Sequence, residues 1–278
     1  MNDSGIGRRA TIALLASAAS GPLAWASYAW ADETPDPWPS LAEQIFGDRT
    51  IGDGAAVLTI DAPYRAEDAA VVPVTLRWTL PDEDRRKVRA VTLVIDANPS
   101  PLAARFAIGE GSGVDRIATR VRVDDYTNFH AVVELSDGAL LASARYVKAA
   151  GGCSAPALKV SGDTIAPGTI RMREFAADAA TARPGWREAQ VMIRHPNYSG
   201  MQMDQVTRLY VPAHFIKSLR VQQDDALVFA VEAGISIAEN PLFRFMYRPN
   251  GAKEFRVEAE DSDGGSFRAA VPISPSAG

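Results

Sequence analysis

The chain has 278 residues, of which 47% are hydrophobic and 23% are charged, so it is long enough for one large or two ordinary globular domains. Its formal net charge is −5 at pH 7 and no basic stripe runs along it, which argues against nucleic-acid binding. The composition also excludes a largely disordered chain, and the longest apolar run is too short and too rich in alanine for a membrane span.

Residues 1–31 are typical of an export signal. Two arginines at 8–9 form a basic start, an apolar stretch follows over 10–26, and Ala29 and Ala31 provide the small residues that a signal peptidase requires. The adjacent arginines also suggest twin-arginine export. We therefore expect an exported, periplasmic protein that does not insert into the membrane.

Residues 32–147 have the pattern of a first β domain. A short helix is predicted over 40–48 with Ser40 as its N-cap, and a turn is predicted at 52–54. Seven short runs rich in Val, Ile, Leu and aromatic residues follow, and Asp137–Gly138 marks a hairpin between the last two. This spacing favours an immunoglobulin-like sandwich. The predicted strands are 56–60, 71–78, 88–95, 104–108, 117–123, 128–135 and 140–147.

Residues 148–168 interrupt this pattern with Ala, Gly, Ser and Pro, a composition typical of a flexible connection. A second β set occupies 169–278. The predicted fold class is therefore all-β, with two immunoglobulin-like β-sandwich domains joined by a flexible, cysteine-bearing segment. The strands predicted in the second domain are 169–173, 189–194, 216–222, 226–232, 242–247, 254–259 and 267–271.

The only cysteine, Cys153, cannot form an internal disulfide, so in an exported protein it must be buried, paired between molecules or chemically used. Gly151 and Gly152 precede it and let the backbone approach another surface closely. We expect an exposed thiol on a pliable segment, whose thiolate fraction Lys148 and Lys159 could raise. Such a thiol suits covalent carriage, because sulfur forms bonds that exchange and oxidation can break. The alternative is a structural cysteine.

Other candidate sites are weaker. None of the three histidines pairs with the cysteine at a zinc-site spacing, and His130 fits a structural place in a strand. We predict no metal, no cofactor and no self-contained active site, so the chain is not expected to be an enzyme. One alternative is copper(I) binding by a soft-ligand cluster. That cluster would consist of Met192, His195, Met201 and Met203.

Two ordered sets of motifs follow one another along the chain. The first contains 101–104, 119–123, 130–138 and the Gly-Gly-Cys of 151–153. The second contains 193–196, 211–216, 239–241, Phe243 with Phe245, and 251–253. The first set, within 98–156, resembles SoxY, the sulfur-carrying subunit of the bacterial thiosulfate-oxidising system. The second set, within 170–273, resembles its partner SoxZ.

The resemblance implies two β-sandwiches and a covalent carrier function. It places sulfur intermediates on Cys153, with Gly151 and Gly152 as the pivot of a swinging arm, and makes the SoxZ-like half a recognition partner without chemistry of its own. The partners it implies are periplasmic redox enzymes, either sulfur-oxidation haem enzymes or a quinoprotein (PQQ-dependent) dehydrogenase. The alternative function is an accessory module that docks on such a dehydrogenase, with Cys153 incidental.

The sequence departs from the SoxY pattern after the cysteine. A typical SoxY ends in Gly-Gly-Cys-Gly-Gly, whereas Ser154, Ala155 and Pro156 follow here and the chain continues to residue 278. The arm is thus tethered at both ends. Cys153 lies five positions after Lys148, which limits the reach to at most about 17 Å. A partner's pocket would have to accept a loop with two limbs.

Overall fold

The structure is a computed structural model that describes residues 36–156, 165–175 and 183–274. Within these ranges it has one helix, α1 (Trp38–Phe46), and fifteen strands, which confirms the predicted all-β class. The strands of the first half are β1 (Ile51–Asp53), β2 (Leu58–Asp61), β3 (Val72–Trp78), β4 (Val88–Ile95), β5 (Leu102–Ile108), β6 (Arg116–Val121), β7 (Thr127–Leu135) and β8 (Leu140–Val147). Those of the second half are β9 (Ile170–Phe175), β10 (Arg187–Ile193), β11 (Ile216–Gln223), β12 (Ala226–Ala233), β13 (Leu242–Tyr247), β14 (Glu254–Asp261) and β15 (Ser266–Pro272).

The strands form two sheets. One has nine strands in the order β1-β8-β7-β4-β5-β12-β11-β14-β15, and the other has six in the order β2-β3-β6-β13-β10-β9. Many of their strands alternate buried and more exposed residues, as β3 does by burying Val72, Val74, Leu76 and Trp78, whereas β4 and β7 are buried along most of their length. Period-2 alternation directs one face of each strand into the core. Most of the buried apolar residues of both sheets belong to one large core, while Val132 and Leu140 form a second, small cluster with Phe46.

Both sheets run from the first half into the second. Strand β5 pairs antiparallel with β12 from Ala104↔Ala233 to Ile108↔Phe229, and β6 pairs with β13. Phe106 packs against Phe229 and Phe243 with ring centroids 6.4 and 5.8 Å apart, so the core is common to both halves. The immunoglobulin-like halves are therefore joined edge to edge by strand pairing. We call these two strand pairs and the rings between them the strand seam.

Two local predictions need correction. Helix α1 starts at Trp38, not Ser40, and no side chain caps it; Ser40 Oγ accepts a hydrogen bond from Gln44 instead. Pro39 lies in its first turn, where a missing backbone N–H costs nothing because those groups are unpaired in any helix. The predicted turn at 52–54 is mostly strand β1, which pairs parallel with β8.

Several predictions from the sequence are not tested by the structure. The export signal at 1–31 and part of the connecting segment, 157–164, lie outside the described residues. The domain bounds 32–147 and 169–278 stay predictions. In the ranges that the structure describes, no helix has both the length and the apolar character needed to cross a membrane.

Candidate functional site

Cys153 lies in a turn after β8, and its side chain is buried with 1% exposure. Gly151 N–H donates to Asp124 O at 2.8 Å and Gly152 N–H to Val123 O at 2.9 Å, which fixes the turn against the chain just beyond β6. The prediction of an exposed thiol is therefore wrong for this conformation. The small residues beside Cys153 let the chain's own backbone enclose it.

The two glycines before the cysteine meet different requirements. Gly151 has a φ of +77°, in the left-handed region that favours glycine, with open space around its Cα. Gly152 is needed for space, because a Cβ there would lie 2.0 Å from Ala69 O and 2.8 Å from Val123 O. Close approach at Gly152 agrees with the sequence interpretation, but the surface approached is the chain's own. Their role as a pivot stays a prediction.

The second half of the chain covers this turn through the segment between β10 and β11, residues 194–215, which we call the cap loop. Ser199 Oγ donates a hydrogen bond to Cys153 O, and Gln202 Nε2 donates to Ala155 O at 3.0 Å. Gln202 Oε1 in turn accepts from the backbone N–H of Ser199 at 3.1 Å, so the Gln202 side chain also holds the Ser199 backbone in place. These contacts join residues 46 and 47 positions apart, which local composition cannot reveal.

The surroundings of the Cys153 thiol hold it in its neutral form. Burial raises its pKa to about 12, the charge of Asp124 and a hydrogen bond to it add to this rise, and the positive charge of Arg122 opposes it without cancelling it. Because the thiolate is the nucleophile, this rise in pKa lowers the reactivity of the covered thiol near neutral pH. Lys148 instead lies over the Tyr64 ring, and Lys159 is outside the described residues.

Arg122 is the buried cation beside the thiol, with 1% exposure. Its Nη1 donates to Gly152 O at 3.3 Å and its Nη2 to Asn197 O at 3.5 Å, while its Nε has no hydrogen-bond partner among the described residues. Desolvation by burial lowers its pKa. Sequence reasoning missed Arg122, although it lies within the family-like stretch 119–123. The alternation of buried and more exposed residues in β6 ends at Val121, and the next side chain, that of Arg122, is also buried.

A second cluster of polar side chains lies where the cap loop meets the end of β14. His195 Nε2 is 3.3 Å from His214 Nε2, and Asp261 Oδ2 is 3.0 Å from His214 Nε2 and 3.7 Å from His195 Nε2. Burial and the neighbouring His214 ring lower the pKa of His195. Sequence reasoning missed this convergence because 19 and 47 residues separate the members along the chain. The copper(I) alternative with the three methionines stays a prediction.

His130 has a different setting. Its Nδ1 pairs with Asp96 Oδ1 at 2.9 Å, and its ring stacks on Trp38 with centroids 3.8 Å apart. This agrees with the structural place that the sequence predicts for it. The pair also provides a matched reference for the His195 cluster, because it combines one buried imidazole with one buried carboxylate.

Comparisons with known proteins give two family matches in chain order. The family model "Sulfur oxidation protein SoxY" matches residues 42–153, and "Sulphur oxidation protein SoxZ" matches residues 175–272. No curated protein matches the chain significantly. Among solved structures, the sulfur carrier protein SoxY from Chlorobium limicola f thiosulfatophilum is 26% identical with a TM-score of 0.33, covering 40% of this chain and 94% of its own. The superoxide reductase (neelaredoxin) from Ignicoccus hospitalis is 15% identical with a TM-score of 0.30, covering 33% and 79%.

Proposed function

The chain belongs to the SoxY–SoxZ family, with both domains fused in one polypeptide, and on this premise we propose that it is a periplasmic carrier that holds sulfur intermediates covalently on Cys153. The family supports a sulfur-carrier role in sulfur oxidation. The observation that carries the assignment to one residue is that the SoxY match ends at Cys153, the only cysteine of the chain.

Loading such a carrier requires a partner that accepts electrons. When the Cys153 thiol and an anionic sulfur species join in an S–S bond, the thiol proton passes to solvent and two electrons must leave. A periplasmic redox enzyme, either a sulfur-oxidation haem enzyme or a quinoprotein dehydrogenase, would take them. In this proposal the chain is not an enzyme by itself, and its partners complete the chemistry.

Of the two charges beside the thiol, Arg122 favours an anionic cargo, whereas Asp124 disfavours it. Arg122 is buried, and the contacts resolved for its guanidinium are with two backbone carbonyls. The negative charges of Glu239 and Asp68 act on this cation, and an anionic group attached to Cys153 would offset more of the cost of its burial. An oxidised sulfur adduct that ends in a sulfonate group has this charge. We propose that Arg122 stabilises the loaded form.

The covered thiol must become accessible during the carrier cycle. Side-chain hydrogen bonds from Ser199 and Gln202 to Cys153 O and Ala155 O hold the cap loop over it. Each such bond contributes only about 1 kcal/mol net, so contacts with a partner enzyme could replace them. We propose that partner binding lifts the cap loop and presents the doubly tethered turn.

The test is the intact mass of the protein purified from its native periplasm, before and after reduction, with peptide mapping of residues 146–160. We expect a reducible adduct on Cys153 that is heavier than simple oxidation and absent from the Cys153→Ser variant. The variant should remain folded, as judged by circular dichroism. An unmodified thiol under every growth condition that requires the protein would contradict the carrier function.

One observation favours the alternative, an accessory module that docks on a periplasmic quinoprotein dehydrogenase. The Cys153 thiol is buried and its pKa is raised to about 12, as for a structural cysteine. In that case Cys153→Ser should support growth like the wild type, and a stable complex with the dehydrogenase should form with either variant. Loss of function in the serine variant would exclude this alternative.

A further inference from the structure

The geometry points to a metal site: we propose that His195, His214 and Asp261 bind a divalent first-row transition-metal ion, for which zinc is the best fit. The three donor atoms, two Nε2 and one Oδ2, are 3.0, 3.3 and 3.7 Å apart. In a tetrahedral zinc site with bonds of about 2.1 Å, neighbouring donor atoms lie about 3.4 Å apart. The triangle therefore has the dimensions of one face of such a site.

The donor atoms are also poorly satisfied by hydrogen bonds among themselves. If His214 Nε2 carries a proton and donates it to Asp261 Oδ2, the lone pair of His195 Nε2 has no donor within the triangle except the same N–H. If His195 Nε2 carries the proton instead, His214 Nε2 must turn a lone pair toward the carboxylate. A cation bound between them satisfies all three lone pairs at once.

A supporting set of hydrogen bonds holds His195 in place. Its Nδ1 lies 3.1 Å from both Asn197 Oδ1 and Asn197 N, and only one of these bonds can form at a time. In the first arrangement Nδ1–H donates to Oδ1, which leaves Nε2 free to bind an ion. Asn197 is fully buried, and its side chain also binds Ile237 O and Ile216 N–H. Such partners orient ligand histidines in metal sites.

Asp261 is held in the same manner. Its Oδ1 accepts the backbone N–H groups of Asp263 at 2.9 Å and Gly265 at 2.7 Å, so Oδ2 alone faces the histidines. Gly265 also provides space, because a Cβ there would lie 2.5 Å from Oδ2. The turn between β14 and β15 thus presents a single carboxylate oxygen in a fixed direction.

The cluster is open on one side. The side chains of His195 and Asp261 are 2% and 5% exposed, whereas that of His214 is 32% exposed. Asp263 Oδ2 lies 3.8 Å from His214 Nε2 at this open side and is itself exposed. Two imidazoles and one carboxylate with a fourth position left for water or another group form the donor set of open zinc sites.

An ion here would join three parts of the second half. His195 lies near the start of the cap loop, His214 near its end, and Asp261 at the end of β14. The same loop places Ser199 and Gln202 over the cysteine turn. A bound ion would therefore fix both ends of the loop that covers Cys153.

The test uses the full chain carrying Cys153→Ser, so that the thiol cannot bind the ion and the outcome does not depend on the carrier function. After chelation, Zn²⁺ is titrated by calorimetry, and Co²⁺ is added to observe the visible bands of a low-symmetry site. We expect one ion per chain. His214→Ala should weaken binding more than about 100-fold, and Asn197→Ala about 10–100-fold, since loss of an orienting residue has that effect.

Two further variants keep the test decisive. His130→Gln alters the other buried histidine–carboxylate pair and should leave the affinity for Zn²⁺ unchanged. His214→Gln replaces His214→Ala if circular dichroism shows that the alanine variant does not fold. The proposal is overturned if no stoichiometric ion binds, or if Zn²⁺ binds equally to the parent and to the folded His214 variant, which would indicate an adventitious ion only.

Discussion

The two halves of the chain meet at several places, and two of these are built differently from each other. At the strand seam, β5 and β12 exchange backbone hydrogen bonds over five residue pairs, and the rings of Phe106, Phe229 and Phe243 pack across it. At the cap loop, the resolved contacts over the cysteine turn are hydrogen bonds from side chains to carbonyl oxygens, such as those of Ser199 and Gln202.

The two junctions differ in the free energy that is needed to break their contacts. Removing a core ring costs about 3–5 kcal/mol, whereas a typical hydrogen bond contributes about 1 kcal/mol net. Local opening needs only the weaker contacts to break, while the rest of the fold stays intact. In the proposed carrier cycle, the chain would therefore keep its halves paired while the thiol of Cys153 is uncovered.

The largest expected effect is the pH dependence of Cys153 alkylation in the folded chain. The thiolate is the reactive form, and its fraction rises about tenfold per pH unit below the pKa. With the pKa raised to about 12, the rate with iodoacetamide should keep rising from pH 7 to 10, by about 1000-fold in all. The urea-unfolded chain should level off near its ordinary pKa of about 8.5.

A plateau near pH 9 in the folded chain would contradict this difference between the strand seam and the cap loop. It would mean that the thiol reacts from an already open conformation with an ordinary pKa. The cap loop would then not be what keeps Cys153 unreactive. Circular dichroism at each pH provides the control for unfolding.

The second prediction concerns the strand seam. Phe229→Ala should lower the free energy of unfolding by about 3–5 kcal/mol, because its ring is fully buried among Phe106, Phe243 and Phe245. Urea denaturation measures this loss. Tyr126→Ala, at a half-exposed aromatic residue, should change it by less than about 0.5 kcal/mol. Equal effects of the two substitutions would show that the Phe229 ring does not stabilise the strand seam.

Much of this fold could be predicted from the sequence. Strands such as β3 and β14 alternate apolar and polar residues, and that period alone places one face inside. The predicted bounds of β13 coincide with those observed. Strand β1 was missed because it has three residues, too few for a period to show, and it depends on β8 for pairing. The strand seam was missed because no local pattern specifies which edge strands meet.

The site was predicted less completely, for one physical reason. The sequence identifies Cys153 as a candidate and explains the need for glycine at position 152. The turn that carries it is hydrogen-bonded by Ser199 and Gln202, and the His195 cluster includes Asp261, residues that are far away along the chain. Composition near a residue describes its flexibility, whereas exposure and pKa depend on what the fold places against it.

The smallest effect tests the cap loop itself. Gln202→Ala removes the hydrogen bond to Ala155 O and the acceptor for Ser199 N–H. Opening should become about 1 kcal/mol easier, so alkylation of Cys153 at pH 8 should be about fivefold faster, with little change in global stability.

Gln205→Ala is the matched control for this substitution, because it changes the same residue type in the same loop. The Gln205 amide donates to Met203 O at 3.2 Å, a contact within the loop and exposed to solvent. It should leave the alkylation rate unchanged. If both variants react at the wild-type rate, Gln202 does not hold the cap closed. If both accelerate equally, general loosening of the loop rather than the bond over the cysteine turn controls access to the thiol.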